Sequence, residues 1–128
     1  MVFSSLYSQE VWYVMKNFNS IKKNSEFQNV YKNGKSLANK HLVMYVKKND
    51  KRVSRIGISV SKKVGNSVVR HRLTRILREC FRLNEKNFKF CMDIVVVVRN
   101  PAADLGYHEI LSSFLHLCRL HKILEEMV

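Results

Sequence analysis

The sequence predicts an α+β fold, and three observations carry that prediction. Ile56-Gly57-Ile58-Ser59-Val60-Ser61 alternates large apolar and small residues with the two-residue period of a half-buried strand. Val69, Leu73, Ile76, Leu77 and Cys80 instead recur at offsets of 0, 4, 7, 8 and 11, which is one face of an α-helix. Cys91 to Val98 reads as a strand whose continuous valines, Val95 to Val98, are the pattern of a strand covered on both faces. The order along the chain is helix, two or three strands, helix, strand, helix, with no internal repeat and no low-complexity linker.

Taken in order, residues 1–14 are nearly uncharged and aromatic-rich. They form either a segment upstream of a start at Met15 or an added flexible or packing segment, and residues 15–128 form one domain. Ser25 to Tyr31 reads as a short helix capped by Ser25 and ended by Lys32-Asn33-Gly34-Lys35. Phe27 and Tyr31 share one of its faces. Leu42 to Val46 is a strand with Val43 and Tyr45 opposite Leu42, Met44 and Val46, and Asn49-Asp50-Lys51 turns the chain. On the next strand Ile56, Ile58 and Val60 point to a core, leaving Gly57, Ser59 and Ser61 on the far side. Small residues there let another chain approach, and Tyr45 and Val43 stand beside them. On spacing alone, Phe27 and Tyr31 fit a core slightly better than a base-stacking groove. Lys62, Lys63 and a turn at Gly65-Asn66 lead into the long helix, with Asn66 or Ser67 as its cap. Pro101 ends the last strand, and Tyr107 to Met127 reads as an amphipathic helix with Ile110, Phe114, Leu117, His121 and Leu124 along one stripe.

The 128 residues carry a net charge of +13, which points to a polyanionic partner. The excess lies in the middle of the chain: residues 21–55 hold ten basic and two acidic residues, and residues 56–84 hold seven and one. Residues 85–128 hold five basic and six acidic residues. On the long helix Arg70, Thr74 and Arg78 form one row flanking the apolar face, and His71, Arg75, Arg78 and Arg82 form the next. Glu79 is the one acid among seven basic residues between Ser61 and Arg82, so ion pairing along the helix cannot neutralise the face. Arginine forks fixed in a row match phosphate oxygens.

Cys80, Cys91 and Cys118 show no paired spacing, which suits reduced thiols and a cytoplasmic setting. No apolar run approaches the ~18 residues of a membrane span. No phosphate loop, paired carboxylates or metal-ligand spacing is present; His116 and His121, five apart, diverge by about 140° on a helix. No catalytic residues and no metal ligands are expected.

The central stretch Ser61-Lys62-Lys63-Val64-Gly65-Asn66, followed by Arg70-His71-Arg72, resembles the signature of the bacterial ribonuclease P protein component. Ile21-Lys22-Lys23-Asn24-Ser25-Glu26-Phe27, Val30-Tyr31-Lys32-Asn33-Gly34 and Val97-Val98-Arg99-Asn100-Pro101-Ala102 also match it, so the similarity runs from about Met15 to the C-terminus. His71 stands where the family has a central Asn, and Thr74 where a basic residue is common. The resemblance implies a two-layer α/β sandwich of the ribosomal protein S5 domain 2 type, with a small, mostly antiparallel sheet and a left-handed βαβ crossover. It implies a subunit of an endoribonuclease that removes the 5′ leader of precursor tRNA, with Mg²⁺ and the catalytic chemistry carried by a separate RNA, one protein per RNA. By the same resemblance, Lys62, Lys63, Asn66, Arg70, His71, Arg72, Arg75 and Arg78 contact that RNA. Phe27, Tyr31, Tyr45, Ser59 and Ser61 hold the leader, which reverses the core reading of the two aromatics. Neither membrane nor DNA is an expected partner. The competing readings are a ribosomal-type RNA-binding protein, a metal-dependent nuclease acting alone and a basic DNA-binding module.

Overall fold

The computed structural model describes residues 20–125; the expectations for residues 1–14 and for a start at Met15 lie outside them. Three helices and four strands follow in the order α1 (Asn24–Asn33), β1 (Lys35–Ala38), β2 (Leu42–Lys48), β3 (Arg55–Ser59), α2 (Ser67–Asn84), β4 (Met92–Val98) and α3 (Tyr107–Leu120). The strands form one mixed sheet ordered β1-β2-β4-β3. β1–β2 and β2–β4 are antiparallel, while β3 and β4 are parallel and are joined through α2. The α+β architecture expected from the sequence is therefore present.

The valine run becomes the inner strand β4, flanked by β2 and β3. Such a strand has no edge, and both its faces need cover, which explains a run without alternation. On one face Leu42, Met44, Ile56, Ile58, Ile94 and Val96 meet Leu73, Leu77 and Cys80 of α2 and Ile110, Phe114 and Leu117 of α3 in the main core. On the other face α1 sets Phe27 and Val30 over Val95, with Ile21 closing the cluster. The outer edge of β3 is not bare: Ser20 bridges Ile56 in parallel, and the Ile21 N–H donates to the Ile56 carbonyl at 2.9 Å.

Two local expectations are corrected, the α1 cap and the α3 end, and the third of the two or three strands expected before the long helix is found as β1. α1 begins at Asn24 with Lys23 at its cap, and Ser25 does not cap it; the Glu26 carboxylate instead reaches back to accept from the Lys23 N–H at 3.3 Å. β1 is a separate four-residue edge strand whose largely exposed residues carry no apolar alternation. α3 stops at Leu120, and not Met127, because Lys122 turns left-handed (φ 57°). The chain then folds back, Ile123 N–H donating to the Cys118 carbonyl at 3.2 Å and Leu124 bridging Phe88. His121 ends the helix with its Nε2 donating to the Met44 carbonyl at 3.0 Å, and burial lowers its pKa. All three cysteines are free, and burial pushes the Cys80 and Cys118 thiols up to about 12. Among the described residues no helix is long and apolar enough to cross a membrane.

Candidate nucleic-acid interface

The approach to α2 is built from a close turn and a cap. A Cβ on Gly65 would lie 2.8 Å from Cβ of Val69, so the turn must carry glycine to let the helix start so near. Asn66 is the cap residue: its Oδ1 accepts from the Val69 N–H at 3.0 Å. No acidic residue occupies the first turn, so the positive end of the helix adds to Lys62 and Lys63. Lys62, Lys63, Asn66 and Arg75 are exposed, while Arg70 and His71 are half-buried at the flank. Val68, 73% exposed, sits among them.

Two arginines expected on this surface do other work. Arg78 is 2% exposed, one of the largest fully buried side chains. Its row, with Thr74, is turned inward; Thr74 Oγ1 donates to the Arg70 carbonyl at 2.8 Å, and Arg78 Nη1 lies 3.5 Å from Ser20 Oγ. Arg72 is half-buried, and its guanidinium donates to the Leu105 and Ala103 carbonyls at 2.5 Å each, tying α2 to the loop before α3. Arg82 pairs with Glu79. The exposed cationic surface is thus the loop and first half of α2, with Arg75.

The second surface is the α1 face of the sheet, and strand register orders it into three rows. Lys47, Asp93 and Arg55 align across β2, β4 and β3; Ser36, Tyr45, Val95 and Gly57 form the next row, and Ala38, Val43, Val97 and Ser59 the third. α1 packs over β2 and β4, and its Phe27 ring covers the β3 end of the middle row. Phe27 is fully buried, and a Cβ on Gly57 would come within 2.5 Å of its ring. The small residue at 57 therefore accommodates a ring of this chain and not an incoming strand, as the spacing alone had suggested. Ser59 is also buried, at 5% exposure, and Ser61 is half-buried. What stays accessible is Tyr31 and Tyr45 with Val43 and Val97, all half-buried. The two tyrosine rings meet edge to face, centroids 4.8 Å apart at 82°. Such a pair leaves aromatic surface for a planar base.

The first row holds a constellation that the sequence reading missed. Arg55 Nε and Nη2 donate to both carboxylate oxygens of Asp93 at 2.9 and 2.7 Å. Its Nη1 donates to Glu26 of α1 at 2.6 Å, and Asn49 Nδ2 donates to Asp93 at 2.8 Å. The Asp93 hydrogen bond, against the cost of burial, raises the Arg55 pKa, and Glu26 adds to it. Hydrogen bonding to Arg55 holds the Glu26 carboxyl below its usual range. Burial pushes Asp93 up, but bonds from Arg55 and Asn49 outweigh it and leave its carboxyl low as well. These residues lie 29 and 38 positions apart, and only the alternation placing Arg55 on the Gly57 face hinted at them. With both carboxylates engaged by a guanidinium, the row is not a cation site. Among the described residues no group of three or more His, Cys, Asp or Glu is placed to hold a metal ion.

Comparison with known proteins shows the family and supports the fold. The family model described as Ribonuclease P matches residues 15–122. A ribonuclease P protein component of Lachnoclostridium phytofermentans is 56% identical over 105 residues, covering 82% of this chain and 90% of its own. That of Staphylococcus epidermidis is 46% identical over 109 residues, covering 84% and 94%. Among solved structures, the Staphylococcus aureus RNase P protein superposes with a TM-score of 0.78 at 39% identity, covering 84% of this chain and 98% of that one. The Thermotoga maritima protein gives 0.70 at 31%, covering 77% and 93%. The chain therefore belongs to the ribonuclease P family, as a protein component of the ribonucleoprotein that matures tRNA.

Proposed function

We propose that the chain docks on the catalytic RNA of ribonuclease P through Lys62, Lys63, Asn66, Arg70, His71 and Arg75. The 5′ leader of precursor tRNA then lies on Tyr31, Tyr45, Val43 and Val97, with Ser61 at its margin. The observation that carries the reading is continuity: the strand bordering the tyrosine face runs through Ser61 into Lys62, Lys63 and the capped start of α2. One RNA surface passes into the other within a few residues. Arg72 and Arg78 support the first surface from inside, and Phe27 and Ser59 support the second.

In this reading the two surfaces make different contacts. The cationic loop and helix meet phosphates of a folded RNA, a salt-sensitive interaction. The tyrosines stack unpaired bases with little sequence preference, each worth about 1–3 kcal/mol. Activation of water and charge neutralisation belong to Mg²⁺ held by the RNA and substrate. This chain binds, orients and reduces phosphate repulsion, one copy per RNA, in the cytoplasm.

The test is cleavage of a precursor tRNA at low Mg²⁺ by the protein alone, a bacterial ribonuclease P RNA alone, and both together. Strong cleavage in the mixture alone is expected. Cleavage by nuclease-free protein would overturn the division of labour, and no stimulation would favour a ribosomal-type role. Tyr45→Ala should weaken binding of leader-bearing precursor about 5- to 140-fold, the equivalent of losing one stacked base, while mature tRNA binding stays unchanged. Equal loss for both substrates would remove the leader from this face.

A further inference from the structure

We infer that Arg55 is a positioning residue for substrate recognition: by binding Asp93 of β4 and Glu26 of α1 at once, it fixes α1 on the sheet and so sets Tyr31 against Tyr45. The inference rests on the single-strand groove proposed above. Its basis is geometric. α1 lies on a face that α2 and α3 do not touch, and its buried anchors are Phe27 and Val30 alone. Two apolar anchors resist lifting off, but they do little to prevent rotation or sliding, because dispersion contacts have no direction. Arg55 supplies the direction. Its guanidinium is planar, so the fork on Asp93 fixes its plane and the remaining nitrogen reaches Glu26 at 2.6 Å.

The clamp is well held from the sheet side. Asp93 sits in register between Lys47 and Arg55 and receives a further bond from Asn49. The Asp93 side chain is 7% exposed and that of Arg55 14%, whereas Glu26 is 30% exposed. Glu26 is therefore the releasable side. It also accepts from the Lys23 N–H, so the contact that orients α1 is the one that closes its first turn. Tyr31 is five residues along the same ten-residue helix. Freedom at Glu26 becomes uncertainty in the tyrosine pair and costs affinity for bases that need both rings placed beforehand.

The experiment uses the reconstituted ribonucleoprotein and compares binding of precursor tRNA with binding of the same tRNA lacking its leader. Removing Arg55 would strand two carboxylates and risk the fold, so the variant is Glu26→Gln, which leaves the Arg55–Asp93 pair intact. Glu79→Gln is its control: it also removes one negative charge and breaks one arginine pair, with Arg82, away from the groove. The affinity gained from the leader should fall severalfold in Glu26→Gln and stay at the wild-type value in Glu79→Gln, with leaderless tRNA and the ribonuclease P RNA bound as before. A leader gain in Glu26→Gln equal to that of Glu79→Gln, or an equal loss for both tRNAs, overturns the inference. Tyr45→Ala in the same series separates the two ideas. If it lowers the leader gain and Glu26→Gln does not, the clamp alone is wrong; if it leaves the gain intact, groove and clamp fall together.

Discussion

Arg72 and Arg75 stand three residues apart on α2 and carry the same guanidinium, yet their surroundings give them opposite work. Arg72 donates to two backbone carbonyls, and Arg75 is exposed. Arg72→Ala should lower the unfolding free energy by about 2–3 kcal/mol, the scale of losing charge-assisted hydrogen bonds at a half-buried site, read as a lower urea midpoint. Arg75→Ala should leave stability within about 0.5 kcal/mol and weaken RNA binding instead. The family resemblance named both as RNA contacts. It could not separate them, because Leu105 and Ala103 lie 33 and 31 residues further along and reach α2 only once β4 has returned the chain. Phe27 is the same lesson in apolar form. Its spacing allowed core or groove, and the glycine at 57 that looked like room for a ligand is room for its ring.

At the level of elements, what could be read in advance was whatever repeats. α2, β2, β3 and β4 each show their burial as a period or a run, so the sequence displayed them. β1 has four largely exposed residues on an outer edge and no period to show. The end of α3 depends on a left-handed Lys122 and on a return pairing with Phe88, neither of which has a local signal. The Arg55 clamp joins three elements and was equally invisible. It carries a pH signature. Glu26 and Asp93 are held below their ordinary carboxyl values, so the folded protein binds these protons less readily than the unfolded chain. Their stabilisation is complete above the unfolded range near pH 4 and is lost as pH falls through the lower folded values. Thermal melting followed from pH 7 to pH 2 should show Glu26→Gln losing less stability below about pH 4 than the wild type; parallel curves would show that Glu26 contributes nothing through its charge.

For the whole molecule, the formal +13 overstates what an RNA meets, since Arg55, Arg72, Arg78 and Arg82 are turned to partners within the chain. In the proposed docking, the field is that of Lys62, Lys63, Arg75 and their half-buried neighbours. Replacing Lys62 and Lys63 together by Ala should reduce the slope of log affinity against log salt by about 2, and Lys122→Ala, near the C-terminus, should leave it unchanged. The order of the strands also has a bearing on how the protein is made. β4 is the strand on which both β2 and β3 pair, and it is encoded after α2. As the chain leaves the ribosome the arginine helix comes out before β4, and until β4 follows, the sheet beneath that helix cannot close. The nascent polypeptide thus passes through a stage in which its most basic amphipathic segment has no floor, and a ribosome surrounded by RNA is where it must wait for one.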